Sequence, residues 1–270
     1  MTNKPAVALI TGSYGGLGAA FAAEHARRGG TLILSDLNKD RLETQRSELE
    51  KSYGVKVFAL PADLSKREQT EQLFDDCHAQ GLSVDYLILN AGFGGQGTLA
   101  ERPMEKDMAM IAVNVESTTR LLKLFLPEML QRSSGKILLI SSISAKIPGP
   151  RLAVYFASKA YLTSLGNAVW RELRGTGVTL TTVMPGILAT DFAEKGQLED
   201  TLLFSRRADP VKAAKKAYKA MLQGRMNAYP GIQLPMRVAL PLAPFLPKSL
   251  ITDLIYALQK KGTSAVHGYT

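Results

Sequence analysis

Thr11-Gly12-Ser13-Tyr14-Gly15-Gly16-Leu17-Gly18 decides how this chain is read, because it joins an apolar run, Ala6–Ile10, to a segment of helical period that begins at Gly16. Glycines at a strand-to-helix junction let backbone approach a pyrophosphate with no Cβ in the way. The start of the helix adds N–H donors and positive potential at the same place. A glycine cluster by itself is equally what an ordinary tight turn looks like, so its meaning depends on what surrounds it.

Outward from this junction, apolar bursts alternate with segments of period 3.6. Strands are predicted at Ala6–Ile10, Thr31–Ser35, Lys56–Leu60, Tyr86–Leu89, Lys136–Ile140 and Val178–Val183. Helices are predicted at about Gly16–Gly29, Asp40–Tyr53, Lys66–Gln80, Glu105–Gln131 and Ala153–Gly175. This alternation implies an α/β fold: a single-domain, Rossmann-type doubly wound parallel sheet with helices on both faces, spanning residues 1–270. Ligands of such a sheet bind at the C-terminal edge of its strands. After Val183 the pattern loosens, and Pro185–Arg207 reads as a segment lying over the ligand crevice, a substrate lid at about 186–207. Asp209 and Pro210 then open a helix running to about Gln223, and Asn227–Tyr229 offers an edge strand.

Bulk properties narrow the classes of function. The chain has 270 residues, 46% of them hydrophobic and 21% charged, which suits one sizeable core and excludes disorder or a fibrous repeat. The net charge of +9 comes from scattered Lys and Arg with no long basic run, so a nucleic-acid partner is not expected. The lone Cys77 excludes an internal disulfide, no Cys/His cluster has zinc spacing, and Met1–Pro5 lacks the pattern of a signal peptide. The expectation is a cytoplasmic protein without a metal.

Three strand ends carry candidate cofactor contacts. Asp36, 18 residues after Gly18, can accept from both hydroxyls of an adenosine ribose and would repel a 2′-phosphate, favouring NAD over NADP. Lys39 and Arg41 follow closely and soften that repulsion, and a helix cap is the plainer use of Asp36. Asp63-Leu64 follows the third strand, where the carboxylate meets either an adenine amine or the helix from Lys66. Asn90-Ala91-Gly92 follows the fourth, where Asn90 either borders the ligand or holds the sheet edge.

Chemistry is suggested by Tyr155 and Lys159, four residues apart on one helix face. A free tyrosine titrates near ~10, and a neighbouring ammonium together with a nicotinamide ring is expected to draw it toward physiological pH. Ser142 lies 13 residues before Tyr155, so the intervening loop can bring its hydroxyl to the same substrate oxygen. Ser141 adjoins it, and spacing selects between the two.

Together, Thr11-Gly12 with Gly16 and Gly18, Asn90-Ala91-Gly92, Asn114, Ser142, Tyr155-Phe156-Ala157-Ser158-Lys159 and Pro185-Gly186 resemble the short-chain dehydrogenase/reductase superfamily in order and spacing. The resemblance covers about residues 5–192. It implies Tyr155 as general acid/base, Lys159 lowering its pKa and binding the nicotinamide ribose, and Ser142 polarising the carbonyl. It also implies that Asn114 holds a water in a proton relay from Lys159, that Thr190 holds the nicotinamide carboxamide, and that Ile187 follows the Pro-Gly turn against the ring. Hydride would then pass on the face that Tyr155 and Ser142 flank. Two positions depart from the family pattern: Leu89 stands where an Asn is frequent, and Tyr14 fills a small-residue position of the loop.

The tail, about 234–260, is rich in Leu, Ile, Val and Met but broken by Pro235, Pro241, Pro244 and Pro247, which rules out a regular membrane span. Leu246–Leu258 has an apolar helical face flanked by Lys248, Lys260 and Lys261, so peripheral membrane contact is one reading. A pocket wall or an oligomer contact, in a homodimer or homotetramer such as the family commonly forms, is the preferred one. With Met184, Phe192, Leu202, Leu203 and Phe204 near the lid, and Phe93, Gly94 and Gly95 bordering the pocket, the composition favours a hydrophobic substrate of hydroxysteroid or 3-oxoacyl type. A broad NADPH-dependent carbonyl reductase and a non-catalytic NAD(H)-sensing binder are the alternatives.

Overall fold

The computed structural model describes residues 5–192, 207–232 and 245–259. Within them the strands are β1 (Val7–Thr11), β2 (Thr31–Ser35), β3 (Val57–Ala59), β4 (Tyr86–Leu89), β5 (Gly135–Ile140), β6 (Val178–Val183) and β7 (Asn227–Ala228). They form one sheet in the order β3-β2-β1-β4-β5-β6-β7, with every pairing parallel. The order reverses between β1 and β4, and at such a switch point the loops at the two strand ends diverge and leave a crevice. Asn227 and Ala228 do supply the edge strand, pairing with Thr182 and Val183.

Alternation along each strand builds two cores. Val7, Leu9, Ile33, Leu87, Leu89, Ile137, Leu139, Val178 and Leu180 point to one face, and Ala8, Ile10, Leu32, Leu34, Ile88, Leu138, Ile140 and Val183 to the other. Because both faces are covered, the strands are mostly apolar, with Thr179, Thr181 and Thr182 of β6 as the main exceptions. The first face packs against α3 (Arg67–Ala79), α5 (Thr118–Gln131) and α6 (Ala153–Glu172). The second packs against α1 (Gly16–Ala26), α2 (Lys39–Tyr53) and α7 (Pro210–Leu222). The departure at Leu89 is explained here, since its side chain is buried in the first core.

Two local features depart from the periodicity. The single helix expected over Glu105–Gln131 is α4 (Met104–Ile111) and α5 joined by a π-helical stretch, Ala112–Ser117. One extra residue in a turn shifts the register of the apolar stripe, which a period of 3.6 cannot express. A 3₁₀ turn, Ile143–Lys146, follows β5 and is capped by the Ser142 side chain. Asp209 caps α7 by accepting from Val211 N and Lys212 N, with Pro210 next to it.

Most of the expected lid lies outside the described residues, including Leu202, Leu203 and Phe204, and so do Pro235, Pro241 and Pro244 of the tail. The tail's helical reading corresponds to α8 (Lys248–Gln259), which buries Ile251, Ile255 and Gln259 while Leu250 and Leu254 stay exposed. Among the described residues no helix is long and apolar enough to cross a membrane.

Candidate active site

The glycine loop is held by contacts that leave no room for side chains on its inner side. Gly12 has φ 61° and a Cβ there would stand 2.8 Å from Ala91 Cα. A Cβ on Gly18 would stand 2.0 Å from the Gly12 carbonyl oxygen, so α1 reaches the loop only because position 18 is glycine. On the outer side a Cβ at Gly15 meets nothing within 4 Å. The N–H groups of Gly16 and Leu17 open α1, where the helix itself has no carbonyl to receive them. An open backbone cradle with unpaired donors at a helix N-terminus fits the pyrophosphate of a dinucleotide.

Side chains brace this loop from beneath. Ser13 is fully buried; its hydroxyl donates to Gln45 Oε1 at 3.2 Å, and Gln45 Nε2 donates to the Ser13 carbonyl at 2.7 Å. Leu17 is likewise a core residue, so Ser13 and Leu17 face a ligand only through backbone. Asn90 Nδ2 donates to the carbonyls of Thr11 at 3.1 Å and Gly12 at 2.9 Å, tying the end of β4 to the end of β1 across the switch point. Asn90 therefore holds the sheet edge. Asn90 N and Ala91 N both donate to Thr11 Oγ1 at 3.1 Å.

Asp36 stands at the end of β2 beside this loop, accepting from Tyr14 N at 3.2 Å and Leu37 N at 2.8 Å. The α2 cap is Asn38, which accepts from Arg41 N at 2.9 Å, so the capping use of Asp36 is corrected. Arg41 lies over the Tyr14 ring, 5.4 Å from its centre. Asp63 needs a similar correction. Its Oδ1 accepts from Ser65 N at 3.0 Å and Ser65 Oγ at 2.6 Å, closing a turn of its own, while α3 begins at Arg67 with no side-chain cap. Leu64 is buried in the core.

Around the chemistry, β5, the 3₁₀ turn and α6 converge. Ser142 Oγ accepts from Ser144 N at 3.1 Å. The adjacent Ser141 turns the other way, donating to the Lys159 carbonyl at 2.7 Å and meeting Thr163 Oγ1 at 2.7 Å, so strand alternation separates two serines that adjoin in sequence. The hydroxyls of Ser142 and Ser144 both lie beside the Tyr155 phenol. Ser144 was not among the expected site residues; its only signal was its place two residues past Ser142.

Within the chain itself, burial dominates the electrostatics of this pair. Burial pushes the Tyr155 phenol up to about 12, with the Ser142 and Ser144 hydroxyls only partly opposing it. Burial brings the Lys159 ammonium down to about 8. Lys159 Nζ donates to the Ile140 carbonyl at 3.0 Å and stands 5.8 Å from the Tyr155 ring centre. Within this chain, removal from water outweighs the attraction of the ammonium for a phenolate, so both groups shift toward their neutral forms.

Asn114, fully buried in the π-helical stretch, clamps the loop after β4. Its Oδ1 accepts from Phe93 N at 3.1 Å, and Nδ2 donates to Phe93 O and Ser158 Oγ, each at 3.0 Å. Ser158 Oγ in turn donates to the Tyr155 carbonyl at 2.7 Å. Gly92 crosses above this clamp, where a Cβ would meet Asn114 Oδ1 at 3.0 Å and Lys159 Nζ at 3.2 Å. The Pro185-Gly186 turn is fastened by Ile143 N to the Pro185 carbonyl at 3.3 Å and by Gly186 N to the Pro230 carbonyl at 3.0 Å. It delivers Thr190 against Gly16, where a Cβ would lie 2.5 Å from the Thr190 methyl. Ile187 joins Ile147, Leu152, Tyr155, Phe156 and Phe192 in an apolar cluster, with the Phe192 and Tyr155 rings 5.3 Å apart.

Comparison with known proteins agrees with this geometry. Residues 6–200 match the family model described as short chain dehydrogenase. A very-long-chain 3-oxoacyl-CoA reductase of Bos taurus is 30% identical over 231 residues, 83% of this chain and 71% of the relative. One from Anas platyrhynchos is 32% identical over 193 residues, covering 69% of this chain and only 61% of the relative's own length. Among solved structures, a short-chain dehydrogenase from Sphingobium yanoikuyae in complex with NADPH is similar with a TM-score of 0.81 at 25% identity, covering 98% of this chain and 100% of that one. A short chain dehydrogenase/reductase from Burkholderia phymatum in complex with NAD shares the fold, with a TM-score of 0.78 at 24% identity over 90% of this chain and 94% of that one. The chain therefore belongs to the short-chain dehydrogenase/reductase family and is an oxidoreductase that works with a nicotinamide cofactor.

Proposed function

We propose that this enzyme interconverts a hydrophobic ketone and its secondary alcohol, with NAD(H) preferred and a 3-oxoacyl compound favoured over a hydroxysteroid. The observation that carries the reading is the Tyr155 phenol set beside the Ser142 hydroxyl at the edge of an apolar cluster, with the Lys159 ammonium beneath. Ser142 already accepts from Ser144 N, which leaves its own O–H to donate to a substrate carbonyl. Tyr155 keeps its proton at neutral pH, because burial holds it at about 12, and delivers that proton to the carbonyl oxygen as it becomes an alkoxide. This protonation state is the one that reduction requires.

The bound nicotinamide supplies the hydride, and its oxidised ring adds positive charge that favours a phenolate in the oxidation direction. On the chain's side, Gly12, Gly16 and Gly18 make room for the pyrophosphate, and Asp36 holds the adenosine ribose. Gly92, Lys159, Ile187 and Thr190 border the nicotinamide half, and Asn114 positions the loop over Lys159. Asp36 supports NAD, whereas Arg41 over Tyr14 is the observation that favours NADPH. The apolar cluster and the names of the relatives support the substrate class. Exposed Met104, Met108 and Ile111 on α4, with Tyr161, support self-association into a homodimer or homotetramer. A single free, buried Cys77 supports a cytoplasmic setting.

The test follows absorbance of the reduced nicotinamide, with NADH and NADPH compared over 3-oxoacyl thioesters, steroids, aliphatic ketones and sugars. Oxidation of NADH by apolar ketones is expected. Turnover with NADPH alone would overturn the role of Asp36, and turnover restricted to sugars would overturn the substrate class.

A further inference from the structure

Ser144 is a buried hydroxyl that braces no other part of the fold and has only the Tyr155 phenol beside it. The residue is 7% exposed, and its Oγ is buried with no hydrogen-bond partner. The other buried hydroxyls without partners among the described residues, Ser35, Thr179, Thr181 and Thr182, all lie within β2 or β6. Ser144 instead lies in the 3₁₀ turn that carries the chemistry. An unpaired buried hydroxyl costs free energy, and a pocket that keeps one gains when a ligand completes it.

Its geometry restricts that ligand. The backbone of Ser144 donates to Ser142 Oγ at 3.1 Å, so the two residues are locked side by side in one turn. Two hydroxyls placed in this way can serve two oxygens of one substrate when those oxygens are close neighbours. An isolated ketone has one oxygen, which Ser142 and Tyr155 already satisfy. A 1,3-dicarbonyl compound folded with both oxygens to the same side has two, and the second is an acceptor, which suits a hydroxyl donor.

We propose that the Ser144 hydroxyl binds a second substrate oxygen two carbons from the reacting ketone, which makes a 1,3-dicarbonyl, a 3-oxoacyl thioester, the preferred substrate over a plain ketone of equal length. The proposal rests on the reading that Ser142 and Tyr155 hold the reacting carbonyl. It assigns Ser144 to recognition, with no proton or hydride passing through it. Phe192 and Ile187, which complete the apolar cluster beside Tyr155, are left to hold the acyl chain.

Ser144→Ala keeps the backbone N–H and with it the orientation of Ser142, so the substitution isolates the hydroxyl. Steady-state rates are measured for the wild type, S144A and S144T with NADH or NADPH, whichever supports turnover, against a 3-oxoacyl thioester and a plain methyl ketone of matched length. S144A is expected to lose roughly tenfold to a hundredfold more in kcat/KM on the thioester than on the ketone, the excess loss falling mainly on KM. S144T, which retains a hydroxyl, is expected to recover most of the loss. Equal losses on both substrates would overturn the proposal, making Ser144 a support for Ser142 or Tyr155, and so would no loss on either. If S144A does not fold, inhibition of the wild type decides: a 1,3-diketone must bind roughly tenfold more tightly than the matched monoketone, and equal binding overturns the proposal. A wild type that reduces plain ketones but shows no preference for the thioester overturns this proposal alone. A wild type that reduces neither removes the reading on which it rests.

Discussion

The cofactor half of this molecule, built at the ends of β1, β2 and β4, and the chemical half, built at the end of β5 and on α6, are assembled on different principles. In the first half the glycine loop presents backbone, and side chains brace it: Gln45 locks Ser13 and Asn90 ties Thr11 to the loop after β4. In the second half the ligand surface is side-chain hydroxyls, and backbone serves as the brace, as when Ser144 N orients Ser142 and the Ile140 carbonyl takes the Lys159 ammonium. A backbone surface is broken by adding atoms, whereas a side-chain surface is broken by removing them.

Substitutions can sharpen or break that contrast. The largest effect is expected from Tyr155→Phe, which removes one oxygen from the chemical half: kcat should fall on the order of a thousandfold while cofactor affinity, read by fluorescence titration, stays near the wild-type value. Turnover close to wild type would sink the role given to Tyr155. Next comes Gly18→Ala, which adds a Cβ that would stand 2.0 Å from the Gly12 carbonyl oxygen. Cofactor affinity should fall roughly a hundredfold, because the neighbour is backbone and cannot yield without moving α1 from the loop. A variant that binds cofactor normally would show that the loop is not the cradle.

Gln45→Ala tests a brace without touching the ligand surface. It leaves the Ser13 hydroxyl and carbonyl unpaired in a buried site, so thermal stability should drop by about 1–3 kcal/mol and cofactor affinity by roughly tenfold, with kcat at saturating cofactor little changed. A loss confined to kcat would contradict the division into two halves.

The smallest effect concerns Lys159 and appears in stability as a function of pH. Burial lowers its pKa from 10.5 to about 8, so between those values the unfolded chain holds a proton that the folded chain has released. The contribution of Lys159 to stability should therefore rise with pH across that window, the full cost of the buried ammonium being felt only below about 8, while the raised Cys77 thiol and Tyr155 phenol pull the other way above about 9. Chemical denaturation of the wild type and Lys159→Met at several pH values checks this, since the stability of the wild type relative to the variant must rise between about pH 8 and 10.5. Parallel curves would mean that Lys159 is solvated in the folded state.

How much of this was legible in sequence follows from the same division. Gly12 and Gly18 could be found because a backbone cradle excludes Cβ atoms, a requirement written directly into residue type. Tyr155 and Lys159 could be found because a helix converts a spacing of four residues into one face. For Asp63 the sequence left an adenine contact and a helix cap open, and the structure removes only the cap, since the carboxylate closes a turn onto Ser65. The break at Ala112–Ser117 was illegible because a single π turn leaves the apolar content of the segment unchanged.

By itself, then, the sequence determined the parallel sheet, the glycine loop at the end of its first strand and the pairing of Tyr155 with Lys159. Periodicity and steric exclusion act over a few residues and survive in the linear chain. Only the tertiary structure decided that Ser141 turns away to the Lys159 carbonyl, that Ser144 joins Ser142 beside Tyr155, and that Asn114 clamps Phe93. It also decided that burial moves Tyr155 and Lys159 toward neutrality. These outcomes depend on which segments remove one another from water, and that is a property of packing between residues far apart in the chain.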